Sequence, residues 1–104
     1  MLVQINTDKN IEGFSRMNDF FTEEVKKELA RFDDKVTRVE VHFGDENSTK
    51  FGKDDKRCTI EVRMEKKNPI AITTHAETIE KSFYEAIEKI KRSLGTTLEK
   101  MRAH

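Results

Sequence analysis

The chain has no tryptophan, one tyrosine, one proline, one cysteine and four glycines in 104 residues. Each scarcity excludes something. A lone Cys58 cannot close an internal disulfide, and three scattered histidines with one thiol offer no metal-ligand spacing, so neither a disulfide scaffold nor a structural zinc site is expected. Gly44 and Gly52 sit in a polar stretch between two strand-like segments, not at the entrance to a helix, so no phosphate-cradling glycine loop is present. No apolar run approaches the roughly 18 residues a membrane span needs, and the N-terminus lacks the basic-then-apolar form of a signal peptide, which predicts a soluble cytoplasmic protein without a membrane partner. Net charge is missing too. Twenty Lys and Arg balance twenty Asp and Glu, which argues against a generic charge-driven nucleic-acid binder.

Charged residues make up 38% of the chain and hydrophobic ones 35%, polar enough to raise the question of disorder, but seven periodically spaced phenylalanines answer against it. The length suits one domain spanning 1–104, with a single core. The balanced charge conceals an asymmetry: residues 1–52 hold 8 basic and 11 acidic side chains, residues 53–104 hold 12 and 9. From Lys89 onward five basic residues face only Glu99. Any nucleic-acid contact belongs at that basic end or on a mixed face.

Val3 and Ile5 alternate with Gln4 and Asn6, the pattern of a short strand with one apolar face. After a turn at 7–10, Phe14, Met17, Phe21, Val25, Leu29 and Phe32 recur at three- and four-residue spacing, predicting an amphipathic helix over about 16–32 with Ser15 as its N-cap. Strict alternation then returns twice, in Val39, Val41 and Phe43 and in Cys58, Ile60, Val62 and Met64. The polar run from Gly44 to Lys56, with a single Phe51, predicts a long hairpin loop, and Asn68-Pro69 closes a shorter one. Ile70 and Ile72 begin a fourth strand ending near Thr74. Thr74-His75-Ala76-Glu77 has the form of a capping box, and the helix it opens carries the stripe Ile79, Phe83, Ile87, Ile90, Leu94, Leu98 and Met101. The order β-α-β-β-β-α predicts an α+β fold: a four-stranded mixed sheet, opened by a right-handed parallel crossover, with two helices packed on one face. The other face should be open and polar, carrying Gln4, Asn6, Arg38, Glu40, His42, Thr59, Glu61, Arg63, Thr73 and His75.

That polar face holds the ingredients of acid/base chemistry, His42 with Glu40 and Glu61, but Glu and Arg on neighbouring strands more simply form cross-strand ion pairs. Cys58 is in phase with core residues, where a thiol stays protonated. The outer helix faces offer a different surface. Lys26, Lys27 and Arg31 stand on the first helix, and Lys89, Arg92, Lys100 and Arg102 on the second. Read as helix surface alone, Lys81 with Glu85, Glu85 with Lys89 and Glu88 with Arg92 are stabilising i,i+4 pairs. Phe20 lies about 120° off the apolar stripe, an exposed contact aromatic or, preferably, a lining of the groove between the helices.

Several strings carry a resemblance. Met1-Leu2-Val3-Gln4-Ile5-Asn6, the Ile11-Glu12 step into a Phe-rich helix, Val39-Glu40-Val41, and Phe83-Tyr84-Glu85-Ala86-Ile87-Glu88-Lys89-Ile90 resemble the ribosome hibernation promoting factor and ribosome-associated inhibitor family, the sigma-54 modulation proteins. The most specific piece is Tyr84-x-Ala86-Ile87-Glu88-x-Ile90 followed by Leu94 and Leu98, where the family's second helix carries Tyr-Ala-Ala-Ile-Asp and the same apolar spacing. The resemblance implies a non-enzymatic, cytoplasmic translation regulator. It would bind the small ribosomal subunit and its rRNA in the mRNA and tRNA channel under stress or in stationary phase, with no cofactor, no small-molecule substrate and a monomeric state favoured. It implies rRNA contacts from Lys27 or its neighbour Lys26, and from Lys100 and Arg102; Arg31, Lys89 and Arg92 lie near the family's basic positions. Glu24, Ser93 and Thr96 depart from positions that are often basic, and two extra residues lie between Glu77 and Tyr84, which implies weaker or rearranged ribosome contacts. The length matches the short form, without a dimerisation domain or an inhibitory tail, which favours ribosome pairing over blocking. The alternative is an RNA- or protein-binding module of double-stranded-RNA-binding-domain-like topology with a non-ribosomal partner.

Overall fold

The computed structural model describes residues 1–8, 14–45 and 56–102, except the side chains of Phe14, Met101 and Arg102. In chain order the elements are β1 (Leu2–Thr7), α1 (Phe14–Glu28), a 3₁₀ turn at Ala30–Phe32, β2 (Val36–Asp45), β3 (Lys56–Met64), β4 (Ile70–Ala76) and α2 (Ile79–Arg102). The strands lie in the order β1-β2-β3-β4, parallel between β1 and β2 and antiparallel elsewhere. The expected α+β architecture is therefore the one observed.

Both helices bury their apolar stripes on the same sheet face. Phe21, Val25 and Leu29 of α1 and Phe83, Ala86, Ile87, Ile90 and Leu94 of α2 share one core with Val39, Val41, Phe43, Cys58, Ile60 and Val62. Three rings join the layers: Phe21 lies 4.8 Å from Phe43 and 4.7 Å from Phe83, centroid to centroid, tying α1 to β2 and to α2. Val36 and Val39 both face the core although three residues apart. A bulge between Val36 and Arg38 absorbs the odd step.

Several boundaries differ from the expectations. α1 is already helical at Phe14, so Ser15 lies inside it and is not its N-cap, and the helix gives way after Glu28 to the 3₁₀ turn, closed by Phe32 N–H donating to the Leu29 carbonyl at 2.9 Å. The capping box at 74–77 does not form, because β4 runs to Ala76 and the Thr74 hydroxyl donates instead to the Ser82 carbonyl at 2.6 Å. The cap of α2 is Thr78, whose hydroxyl oxygen accepts the Lys81 N–H at 3.0 Å. Gly44 and Asp45 belong to β2 and Lys56 to β3, not to a loop; residues 46–55 of the expected 44–56 loop, with Phe51 and Gly52, lie outside the described residues. The shorter hairpin turns at Lys66, in the left-handed region at φ 64°, just before Asn68-Pro69.

Candidate functional site

The open sheet face is an ordered polar lattice. The register sets Gln4, Glu40 and Glu61 in one row, Asn6, His42, Thr59 and Thr73 in the next, and Arg38 beside Arg63 in a third. Neighbours across β2 and β3 thus carry like charge, and the expected cross-strand pairs are replaced by pairs along each strand. Arg38 Nε lies 3.3 Å from Glu40 Oε2 and Arg63 Nε 2.9 Å from Glu61 Oε1, while Arg38 also donates to Gln4. With both carboxylates held by arginines, His42 pairs instead with Asp8, Nε2 to Oδ1 at 3.2 Å. The acid/base arrangement of His42 with Glu40 or Glu61 is not assembled. Cys58 is fully buried, and desolvation pushes its thiol up to about 12, so it supplies no thiolate near neutral pH.

The helices assemble more. α1 ends in Lys26 and Lys27, which complement the negative end of its dipole. The 3₁₀ turn, pinned by buried Phe32, then directs Arg31 sideways, its guanidinium 4.5 Å from the centre of the Phe32 ring. Gly95 of α2 faces it: a Cβ built there would stand 3.4 Å from Arg31 Nη2. Lys27, Glu28, Ala30 and Arg31 form one wall of a groove of about 490 Å³, and Glu88, Lys91 and Arg92 form the other. Lys91 Nζ bridges both acids of that groove, at 3.0 Å from Glu28 and 3.4 Å from Glu88. Those carboxylates, together with the hydrogen bonds they accept, hold the Lys91 pKa above its ordinary value.

The consequence is electrostatic. With Glu28 and Glu88 occupied by Lys91, the groove presents Lys27, Arg31 and Arg92 without a carboxylate partner among the described residues. None of the three i,i+4 pairs suggested by spacing closes; Glu88 turns to Lys91 at i+3 instead of Arg92. Lys89 joins Lys81, Tyr84 and Arg92 on an adjoining shallow surface of α2. Lys26 is exposed one residue round α1, and exposed Lys100 is about 12 Å further along α2 than Arg92. Arg102 closes α2, with its side chain outside the described residues. Three cations on a groove can hold phosphate or another oxyanion.

The sequence family described as Sigma 54 modulation protein / S30EA ribosomal protein matches residues 4–102. The chain belongs to this family. Family membership makes it a ribosome-associated factor. No curated protein sequence matches. Among solved structures, a ribosomal subunit interface protein from Coxiella burnetii is similar at TM-score 0.64 and 18% identity, covering 100% of both chains. The Thermus thermophilus Protein Y N-terminal domain is similar at TM-score 0.63 and 18% identity, over 89% of this chain and 94% of that one. At such identity the likeness speaks to the fold.

Two features of this family member escaped the sequence reading. Lys91 is absent from the expected binding set, because its organising partner Glu28 is 63 residues away. Glu24, the departure from a basic position, accepts the Tyr84 hydroxyl at 2.6 Å and so links α1 to α2. Phe20 is not among the residues that line the groove of Lys27, Arg31 and Arg92. It is 48% exposed, edge-on to Phe21 with centroids 5.0 Å apart, which favours the reading as an exposed aromatic.

Proposed function

We propose that the protein is a hibernation factor that seats itself on the small ribosomal subunit, in the channel of mRNA and tRNA, and silences translation in the cytoplasm under stress. Binding, not catalysis, is its action. Lys26, Lys27, Arg31, Lys89, Arg92, Lys100 and Arg102 contact rRNA phosphates. The observation that carries this reading is the groove in which Lys91 occupies both carboxylates and leaves Lys27, Arg31 and Arg92 without an ion-pair partner among the described residues. A neutral protein binds a polyanion only where its positive side chains are gathered and its own acids are taken up. The polar sheet face, with Glu40 and Glu61 adjacent, faces away from the phosphates.

Co-sedimentation with ribosomes and separated subunits on sucrose gradients tests it. The protein is expected to migrate with small subunits and intact ribosomes at low salt. Seven phosphate contacts release enough counterions for affinity to fall about a thousandfold between about 50 and 200 mM salt. A protein that stays at the top of the gradient at both salts, or that binds only large subunits, overturns the proposal.

A further inference from the structure

The β1 edge of the sheet presents a second surface. Among the described residues β1 is an outer strand paired only with β2, so part of its backbone N–H and C=O groups points away from the sheet. Edge strands are usually protected by charges, proline or a bulge. Leu2–Thr7 has none of these: its sequence is Leu-Val-Gln-Ile-Asn-Thr, and its register with β2 is unbroken over six residues. Beside it runs an open groove of about 540 Å³, with Val3–Ile5 as one wall and Asn18, Asp19, Thr22 and Glu23 of α1 as the other. Among the described residues no cation lines this groove, and Asp19 and Glu23 have no ion-pair partner.

The spacings of the two walls match one kind of occupant. Asp19 and Glu23 are one helical turn apart, about 6 Å along α1. A strand added to β1 directs every second side chain to the same face, at a repeat of about 6.8 Å. Residues i and i+2 of such a strand can therefore each meet one of the two carboxylates, while its backbone pairs with the β1 edge. The acidic wall repels a nucleic acid and favours basic protein. We propose that the β1 edge and the acidic flank of α1 form a strand-addition site for an extended protein segment with lysine or arginine at alternate positions.

The test uses the full ¹⁵N-labelled chain and the capped peptide Lys-Val-Lys-Val-Lys-Val. Amide shift changes are expected at Leu2–Thr7 and Asn18–Glu23, with slowed hydrogen exchange in β1. The same peptide N-methylated at every residue keeps its charge and is expected to lose binding, as is Glu-Val-Glu-Val-Glu-Val. Asp19 and Glu23 are exposed, so the D19N/E23Q variant keeps the fold and should weaken the lysine peptide at least tenfold. Shifts confined to the Lys27–Arg92 groove, equal binding of acidic and basic peptides, or full binding of the N-methylated peptide would overturn the proposal. So would a lack of any binding.

Discussion

Tyr84 and Glu24 come from different helices, and their hydrogen bond changes the chemistry of one while placing the other. Donation to the Glu24 carboxylate, then desolvation, then the negative charges of Glu24, Glu28 and Glu80 raise the tyrosine from 10.0 to about 12. The raised value belongs to the folded state. Whatever this bond adds to stability is therefore complete below pH about 10 and is lost as pH rises through about 12. An absorbance titration of tyrosinate, the chain having one tyrosine and no tryptophan, should show a midpoint near 12 that moves down towards 10.0 in Glu24→Gln. A midpoint unchanged by the substitution would refute the link. Gly44 serves a similar residue-scale purpose on the open face. It lies under Arg57 and Asp8, whose Nη2 and Oδ2 are 3.6 Å apart across β2, and a Cβ at 44 would overlap the Arg57 guanidinium and come within 2.8 Å of Asp8 Oδ2. The missing side chain lets Asp8, just past β1, and Arg57 of β3 share a charge pair over β2, the strand between them.

At the scale of elements, each end is set by whichever hydrogen bond the tertiary contact leaves available. Thr74 and Thr78 both precede a glutamate or lysine at helical spacing, and a local rule favours Thr74 with Glu77. Pairing of β4 with β3 keeps 74–76 extended, and the Thr74 hydroxyl turns inward to Ser82, so α2 is capped by the next hydroxyl residue, Thr78. Thr78→Ala is expected to lower stability by about 1 kcal/mol, and Glu77→Ala, exposed and outside the cap, to change it by less than about 0.5 kcal/mol. Urea denaturation of the two variants distinguishes them; the reverse order would restore the box at 74–77. The strand phases and the stripe of α2 were legible because periods of two and 3.6 residues report which side is buried, and Val39, Val41, Phe43, Ile60, Val62, Phe83, Ile87, Ile90 and Leu94 are all buried as expected. The ends were not, since competing caps differ by about 1 kcal/mol and packing exceeds that.

Across the whole molecule, charge is sorted rather than abundant. The basic groove lies between the C-terminal end of α1 and the middle of α2, and the acidic groove lies on the opposite flank of α1, beside β1. A chain of zero formal net charge thereby presents two surfaces of opposite sign. Reversing Lys27, Arg92 and Lys100 together to glutamate should abolish co-sedimentation with small subunits at low salt. The three side chains are exposed and form no ion pair among the described residues, so thermal unfolding should stay cooperative. Unchanged ribosome binding would remove these residues from the interface and leave the family assignment standing. Five of the seven basic candidates fall on or beside one another in space, namely Lys26, Lys27, Arg31, Lys89 and Arg92, while Lys100 stands apart along α2.

By itself the sequence determined the element order, the buried face of each element and the family resemblance, because burial imposes a period on the chain that can be read without knowing its neighbours. Only the tertiary structure decided which charges are free. Lys91 resembles Lys89 and Arg92 in the sequence, yet Glu28, 63 residues distant, takes it up, and the Arg38 and Arg63 that spacing would pair across strands face each other instead. Charge pairing depends on distances of about 4 Å between side chains from separate elements, and those distances exist only after the helices and strands have packed.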